Sequence, residues 1–210
     1  MRWSRSALVV ALVAGLLGGL FAVEPNREMR EAAEASLATI PGFVSVDGRA
    51  EATTLPDDSI DLVLCAQSFH WFDLERARPE FARILKPRGT LLLVWNARRT
   101  KGTVFGERFE ALLGAYSDEY RQVRHEEAAP ESAIAWFFGS AGYETARYDN
   151  VQILDYDGIR GRLLSTSYAP EPGHPKYEPM LEELRRIFDE TKLEGVVRLE
   201  YDTTAYFGKL

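Results

Sequence analysis

LPDDSIDLVLCAQSFHWFD, Leu55 to Asp73, is the stretch from which the rest of the chain is read. An acidic turn at Asp57 and Asp58 feeds an apolar run, Ile60 to Ala66, with the length and composition of a strand buried on both faces. The run stops on Gln67, Phe69, His70 and Trp71. In open α/β sheets small molecules bind beyond the carboxyl ends of the strands, so this polar and aromatic tip stands where chemistry is expected. Downstream the pattern repeats. ILKPRG reads as a helix stopped by Pro87 and Gly89, and TLLLVWN as a second buried strand, Thr90 to Trp95, ending on a polar residue.

Toward the N-terminus, Leu20 to Val23 reads as a short strand. Asn26 is placed to cap a helix through Ala38, with Met29, Ala32, Ala33 and Leu37 on one face. Pro41 and Gly42 close that unit, and Phe43 to Val46 is the next strand. A crossover helix around Pro79 to Leu85 joins the two strands first read. Toward the C-terminus, Phe109, Leu112, Leu113, Tyr116 and Tyr120 keep helical spacing, Ile134, Phe137 and Phe138 mark a short helix, and Met180 to Phe188 form an amphipathic one after Pro179. Such aromatic stripes belong to the core. Ala146 to Ile153 and Val196 to Tyr206 alternate as two late strands. Strands alternating with helices predict an α/β fold, a Rossmann-like, mostly parallel sheet with helices on both faces.

The chain has 210 residues, 46% of them hydrophobic, enough for one substantial core. A formal charge of −7 argues against a nucleic-acid binder, and the basic group Arg83, Arg88, Arg98, Arg99 and Lys101 lacks interleaved aromatics. The single cysteine, Cys65, lies in an apolar strand and leaves neither a disulfide framework nor a cysteine-rich metal site. His70, His125 and His174 have no zinc-ligand spacing, and no Gly-x-Ser-x-Gly elbow is present. A hydrolase is disfavoured on these grounds.

Glu24 ends the strand at Val23, where an acid can accept hydrogen bonds from both hydroxyls of a ribose. Taken with AQSFHWFD and the two late strands, this arrangement resembles a class I S-adenosylmethionine-dependent methyltransferase. The resemblance implies S-adenosyl-L-methionine as cofactor, a small-molecule acceptor, and an antiparallel C-terminal strand pair. It implies that Glu24, Pro25 and Met29 hold the ribose and adenine, and that the Ala50 and Glu51 turn in GRAEA addresses the adenine edge. Arg49 stands there where the family often has an acid. It further implies that Gln67 lies near the methionine part of the cofactor and that Phe69 and Trp71 wall the substrate pocket; His70 beside them is the candidate catalytic residue, to touch the substrate or serve as a general base. Tyr168 to Met180 is expected to help build the acceptor pocket. Methyl transfer from a sulfonium asks mainly for positioning, so a missing catalytic triad agrees with this class.

The head of the chain departs from the family. Counting back from Glu24 puts the expected glycine-rich loop on Trp3, Arg5 and Ala7, and Gly15, Gly18 and Gly19 lie too close to the next strand to leave room for a helix. The first strand is therefore missing or replaced. Residues 1–19 form an apolar segment with the composition of a signal sequence, an anchor through residues 7–23 or a frame artefact, ahead of a methyltransferase-like domain at 20–210. The expected setting is cytoplasmic, with membrane contact only if that segment is a real helix. The alternatives to an enzyme, one impaired by the loss, are a noncatalytic remnant of the fold and a membrane-tethered interaction module. The oligomeric state is left open by the sequence.

Overall fold

The computed structural model describes residues 11–14, 19–117, 120, 131–166 and 168–210. Among them the elements run β1 (Ala11–Ala14), β2 (Leu20–Val23), α1 (Arg27–Leu37), β3 (Phe43–Val46), β4 (Ile60–Ala66), α2 (Leu74–Ile84) and β5 (Leu85–Arg98). There follow α3 (Val104–Tyr116), α4 (Glu131–Phe138), β6 (Glu144–Leu154), α5 (Tyr156–Leu164), α6 (Tyr177–Thr191) and β7 (Val197–Gly208). The described strands form one seven-stranded sheet in the order β3-β2-β1-β4-β5-β7-β6.

Direction in this sheet follows from connection length. A parallel neighbour needs a crossover of a dozen or more residues, and α1 and α2 supply them: β2 pairs with β3, and β4 with β5, in parallel. Only residues 15–19 separate β1 from β2, which allows a hairpin and nothing longer. Accordingly β1 runs antiparallel to both β2 and β4, with Ala11 opposite Val23 on one side and Cys65 on the other. The slot of the first strand is thus filled by the apolar head, but in reverse. At the far end, Arg99 N–H bonds Glu200 O while Thr203 bonds Asn96, so β7 runs against β5. Asn150 meets Thr203 and Tyr201 meets Gln152, so β6 runs against β7. Five strands therefore point one way, and β1 and β7 the other.

Two elements differ from their sequence reading. The crossover helix begins at Leu74, capped by Asp73 through Arg76 N–H, and carries Pro79 inside it. Pro87 and Gly89, read as a helix stop, lie within β5, where the register with β4 shifts between Ile60 and Leu62. A Cβ on Gly89 would meet Leu85 at 2.8 Å and the Ile60 carbonyl at 3.1 Å, so this irregularity needs glycine. Helix α5 had no reading at all: Gly158 and Gly161 dilute its spacing, although Asp155 caps it through Gly158 N–H and Ile159 and Leu163 are fully buried.

The chain divides into two compact units. One comprises residues 11–14, 19–95, 131–147 and 204–210 of those described, with a core of Val63, Cys65, Phe69, Phe81, Leu93 and Phe137 among others. Phe137 stands edge-on to Phe69 at 5.0 Å and to Phe81 at 5.8 Å. The other comprises residues 96–117, 120, 148–166 and 168–203 of those described, where α3, α5, α6 and β7 share a core that includes Phe109, Leu113, Leu163, Leu184 and Leu199. Among the described residues no helix is long and apolar enough to cross a membrane; residues 1–10 and 15–18 of the apolar head lie outside them. Phe137→Ala removes a fully buried ring from the first core and is expected to cost about 3–5 kcal/mol in urea unfolding.

Candidate functional site

Because β2, β3 and β4 point the same way, Glu24, the turn after Val46 and Gln67 all emerge at one edge of the sheet. Glu24, Pro25, Met29, Ala50, Glu51, Gln67, Phe69, His70 and Trp71 all belong to the first unit, whereas Tyr168 to Met180, expected at the acceptor pocket, belongs to the other. Reversal of β1 changes what lies between them. Its first described residue, Ala11, is at this edge, and its far end turns into β2 at the opposite one. Among the described residues β1 therefore presents no strand-to-helix turn here, and with it no helix N-terminus for an anionic group.

Two sets of hydrogen bonds draw the tips together. Arg30, on α1, donates to the carbonyls of Glu24 (2.9 Å) and Pro25 (3.1 Å) and to the carboxylate of Asp47 (3.0 Å), which fixes the end of β2 against the end of β3. Glu51 accepts from Asp73 N–H at 2.8 Å, and Glu80 accepts from both Thr53 N–H and its hydroxyl. These bonds hold the Ala50 turn against the loop and helix that follow β4. Ala50 itself is buried, and Met29 is half-buried on the first turn of α1, its N–H capped by Asn26 at 3.0 Å as the sequence predicts.

The chemistry of this edge lies in its unpaired polar atoms. Glu24 is 6% exposed; one carboxylate oxygen accepts from Asn26 N–H at 2.7 Å, while Oε2 is buried without a partner. Burial raises its pKa, against the opposing pull of the Asn26 N–H and of Arg30. After β4, the Ser68 hydroxyl and His70 Nδ1 are likewise buried and unpartnered. Burial lowers the His70 pKa to about 4, so the ring is neutral at pH 7. It lies 4.6 Å from the Trp71 ring and 5.5 Å from that of Trp95. Buried polar groups are ordinarily paired; of the five unpartnered buried side-chain atoms among the described residues, three lie on this edge, and the other two are Arg98 Nη1 and Ser117 Oγ. Gln67, at φ +53°, holds a backbone conformation uncommon for residues other than glycine, a kind of strain that gathers at binding sites.

One predicted residue is displaced. Phe69, expected to wall the pocket, is 1% exposed and packs into the core against Phe72 and Phe137, because the short 3-10 turn Phe69–Trp71 sends it inward. The same turn leaves Trp71 59% exposed. Sequence reading missed Ser68, although it lies inside the quoted motif, and Arg30, whose only signal is its position six residues beyond Glu24 on α1. Trp95 was read as strand alone.

The two titrations have opposite signs. A carboxyl whose pKa rises on folding costs stability as pH climbs above its unfolded value of 4.5; a histidine whose pKa falls costs stability as pH drops from 6.5 toward about 4. Thermal unfolding is expected to show Glu24→Gln gaining on the wild type as pH rises from 4 to 7. His70→Gln should gain as pH falls from 6.5 to 4, by about 1 kcal/mol once its partial exposure is allowed for.

A family model described as a methyltransferase domain matches residues 6–93. A protein of Schizosaccharomyces pombe named as an uncharacterized methyltransferase-like protein, C25B8.10, is 34% identical over 178 residues, 78% of this chain and 65% of that one. The uncharacterized methyltransferase Rv3342 of Mycobacterium tuberculosis is 49% identical over 77 residues, 37% of this chain and 30% of its own length. The chain thus spans less than two thirds of these curated relatives. Among solved structures, a candidate type II methyltransferase from Anaeromyxobacter dehalogenans superposes with a TM-score of 0.62 at 20% identity, over 91% of this chain and 80% of that one. A candidate methyltransferase of an antibiotic biosynthesis pathway in Anabaena variabilis gives 0.56 at 20% identity, over 90% and 81%. These two likenesses establish the fold.

Proposed function

We propose a function from the premise that the chain belongs to the class I S-adenosylmethionine-dependent methyltransferase family: it binds S-adenosyl-L-methionine at the edge just described and methylates a small-molecule acceptor. The observation that carries this reading is the buried, unpaired Oε2 of Glu24 at the tip of β2. A buried acceptor without a donor costs about 1–3 kcal/mol or more when charged, and the hydroxyls of a ribose would remove that cost. Met29 and the Ala50 and Glu51 turn would hold the adenine, with Pro25 shaping the bend between β2 and α1. The methionine end would fall toward Gln67 and Ser68. The reading gives the methyltransferase-like domain residues 20–210 and a cytoplasmic setting, with β1 (Ala11–Ala14) of the segment ahead of them completing its sheet.

When bound, the cofactor supplies a methyl group on a positively charged sulfur, a leaving group already activated. What remains for the chain is to align the acceptor and keep water out. His70, neutral at pH 7 with its Nδ1 unpartnered, would accept a hydrogen bond or a proton from the attacking atom, and Trp71 would shield that place from solvent. Phe69 has no part in this beyond fixing the turn that presents them.

A second reading has its own observation. With β1 reversed, the glycine-rich cradle of the family has no counterpart among the described residues, so the fold could persist without its cofactor. Titration calorimetry with S-adenosylmethionine separates the two readings. The enzyme reading predicts saturable heat with the wild type, at least tenfold weaker in Glu24→Gln, a loss of about 1.4 kcal/mol or more. Absence of heat and of any thermal shift favours the remnant. For a chain that binds, His70→Gln should leave cofactor affinity unchanged and lower methylation turnover by about 10²-fold or more.

A further inference from the structure

Strand β6 ends the sheet, with β7 as its one strand neighbour among the described residues. It is eleven residues long, and all but Ala146 and Leu154 are exposed, on both faces. Tyr148 is 62% exposed, Ile153 58% and Val151 39%. An edge strand presents a row of unpaired N–H and C=O groups, and proteins that keep such an edge unpaired shorten it, twist it or load it with like charges. This one is long, carries three large apolar side chains, and bears opposite charges, Arg147 and Asp149, on either side of Tyr148.

We propose that β6 is a homodimer interface, pairing antiparallel with β6 of a second copy about a two-fold axis through Tyr148. Symmetry restricts the register. A two-fold axis perpendicular to a continuous sheet must pass through a residue position, since residues directly opposite one another lie on the same face. An axis through Arg147 sets that cation against itself, and an axis through Asp149 does the same with the acid. An axis through Tyr148 places Arg147 opposite the partner subunit's Asp149 twice over. It also stacks the two tyrosines and sets Thr145 against the partner subunit's Val151, a pairing of β-branched side chains. Asp149 is exposed and already bonds Arg99 of its own chain, so the new pair extends that ion-pair group outward. The inference is independent of cofactor binding.

Sedimentation of the full chain over a concentration series tests it. The wild type is expected to move toward twice its 23.7 kDa as concentration rises. R147D, which leaves two acids flanking the axis, and D149R, which leaves two arginines, should each stay monomeric alone and dimerise when mixed in equal amounts. Y148K, which sets two ammonium groups together on the axis, should stay monomeric on its own, and it serves with R147D where D149R disturbs Arg99. Circular dichroism confirms folding of each variant. A wild type that is monomeric at its highest soluble concentration overturns the proposal, as does a dimer that R147D leaves intact or a mixture that stays monomeric.

Discussion

The connection between β1 and β2 is too short to cross over, and the character of the candidate site follows from that. Five residues permit a hairpin only, so the apolar head enters the sheet's centre against the direction of its neighbours. Backbone pairing is satisfied as well by a reversed strand as by a parallel one, and the sheet closes around it with the strand order intact. What changes is the furniture of one edge. Where a forward strand would end there in a loop, the first described residue of a reversed one stands, between the tips of β2 and β4.

Those tips are held by contacts with a clear division of labour. Arg30 and the Glu51 and Glu80 carboxylates satisfy backbone groups and fix the turns. Glu24 and His70 instead retain unpartnered buried atoms, and burial moves each toward its neutral form. A protein selected for stability alone would pair or replace such groups. Their retention at the carboxyl edge of an α/β sheet agrees with the binding site proposed there, since a ligand site gives up stability that its ligand restores.

Much of this was legible in the residues, and what was not has physical causes. Asn26, the apolar run at Ile60 and the alternation of the late strands were read correctly because capping and periodicity are local. Pro87 misled because proline and glycine punctuate helices and strand irregularities alike, and only the pairing of Leu85 with Ile60 decides between them. Phe69 misled because a 3-10 turn, unlike a strand, sends successive side chains neither to alternate faces nor to helical ones. The direction of β1 was within reach of a count of residues, yet its place between β2 and β4 depends on long-range pairing that no local pattern records. Arg30 and Ser68 gain meaning only from the neighbours that folding gives them.

The role proposed for the unpaired carboxylate oxygen of Glu24 is that of ribose acceptor. A crystal structure of the full chain with S-adenosylhomocysteine addresses it most directly. Both ribose hydroxyls are expected within hydrogen-bond distance of Glu24, with the adenine beside Met29 and Ala50. A ligand bound elsewhere, or bound at this edge with Glu24 turned away from the ribose, would contradict it.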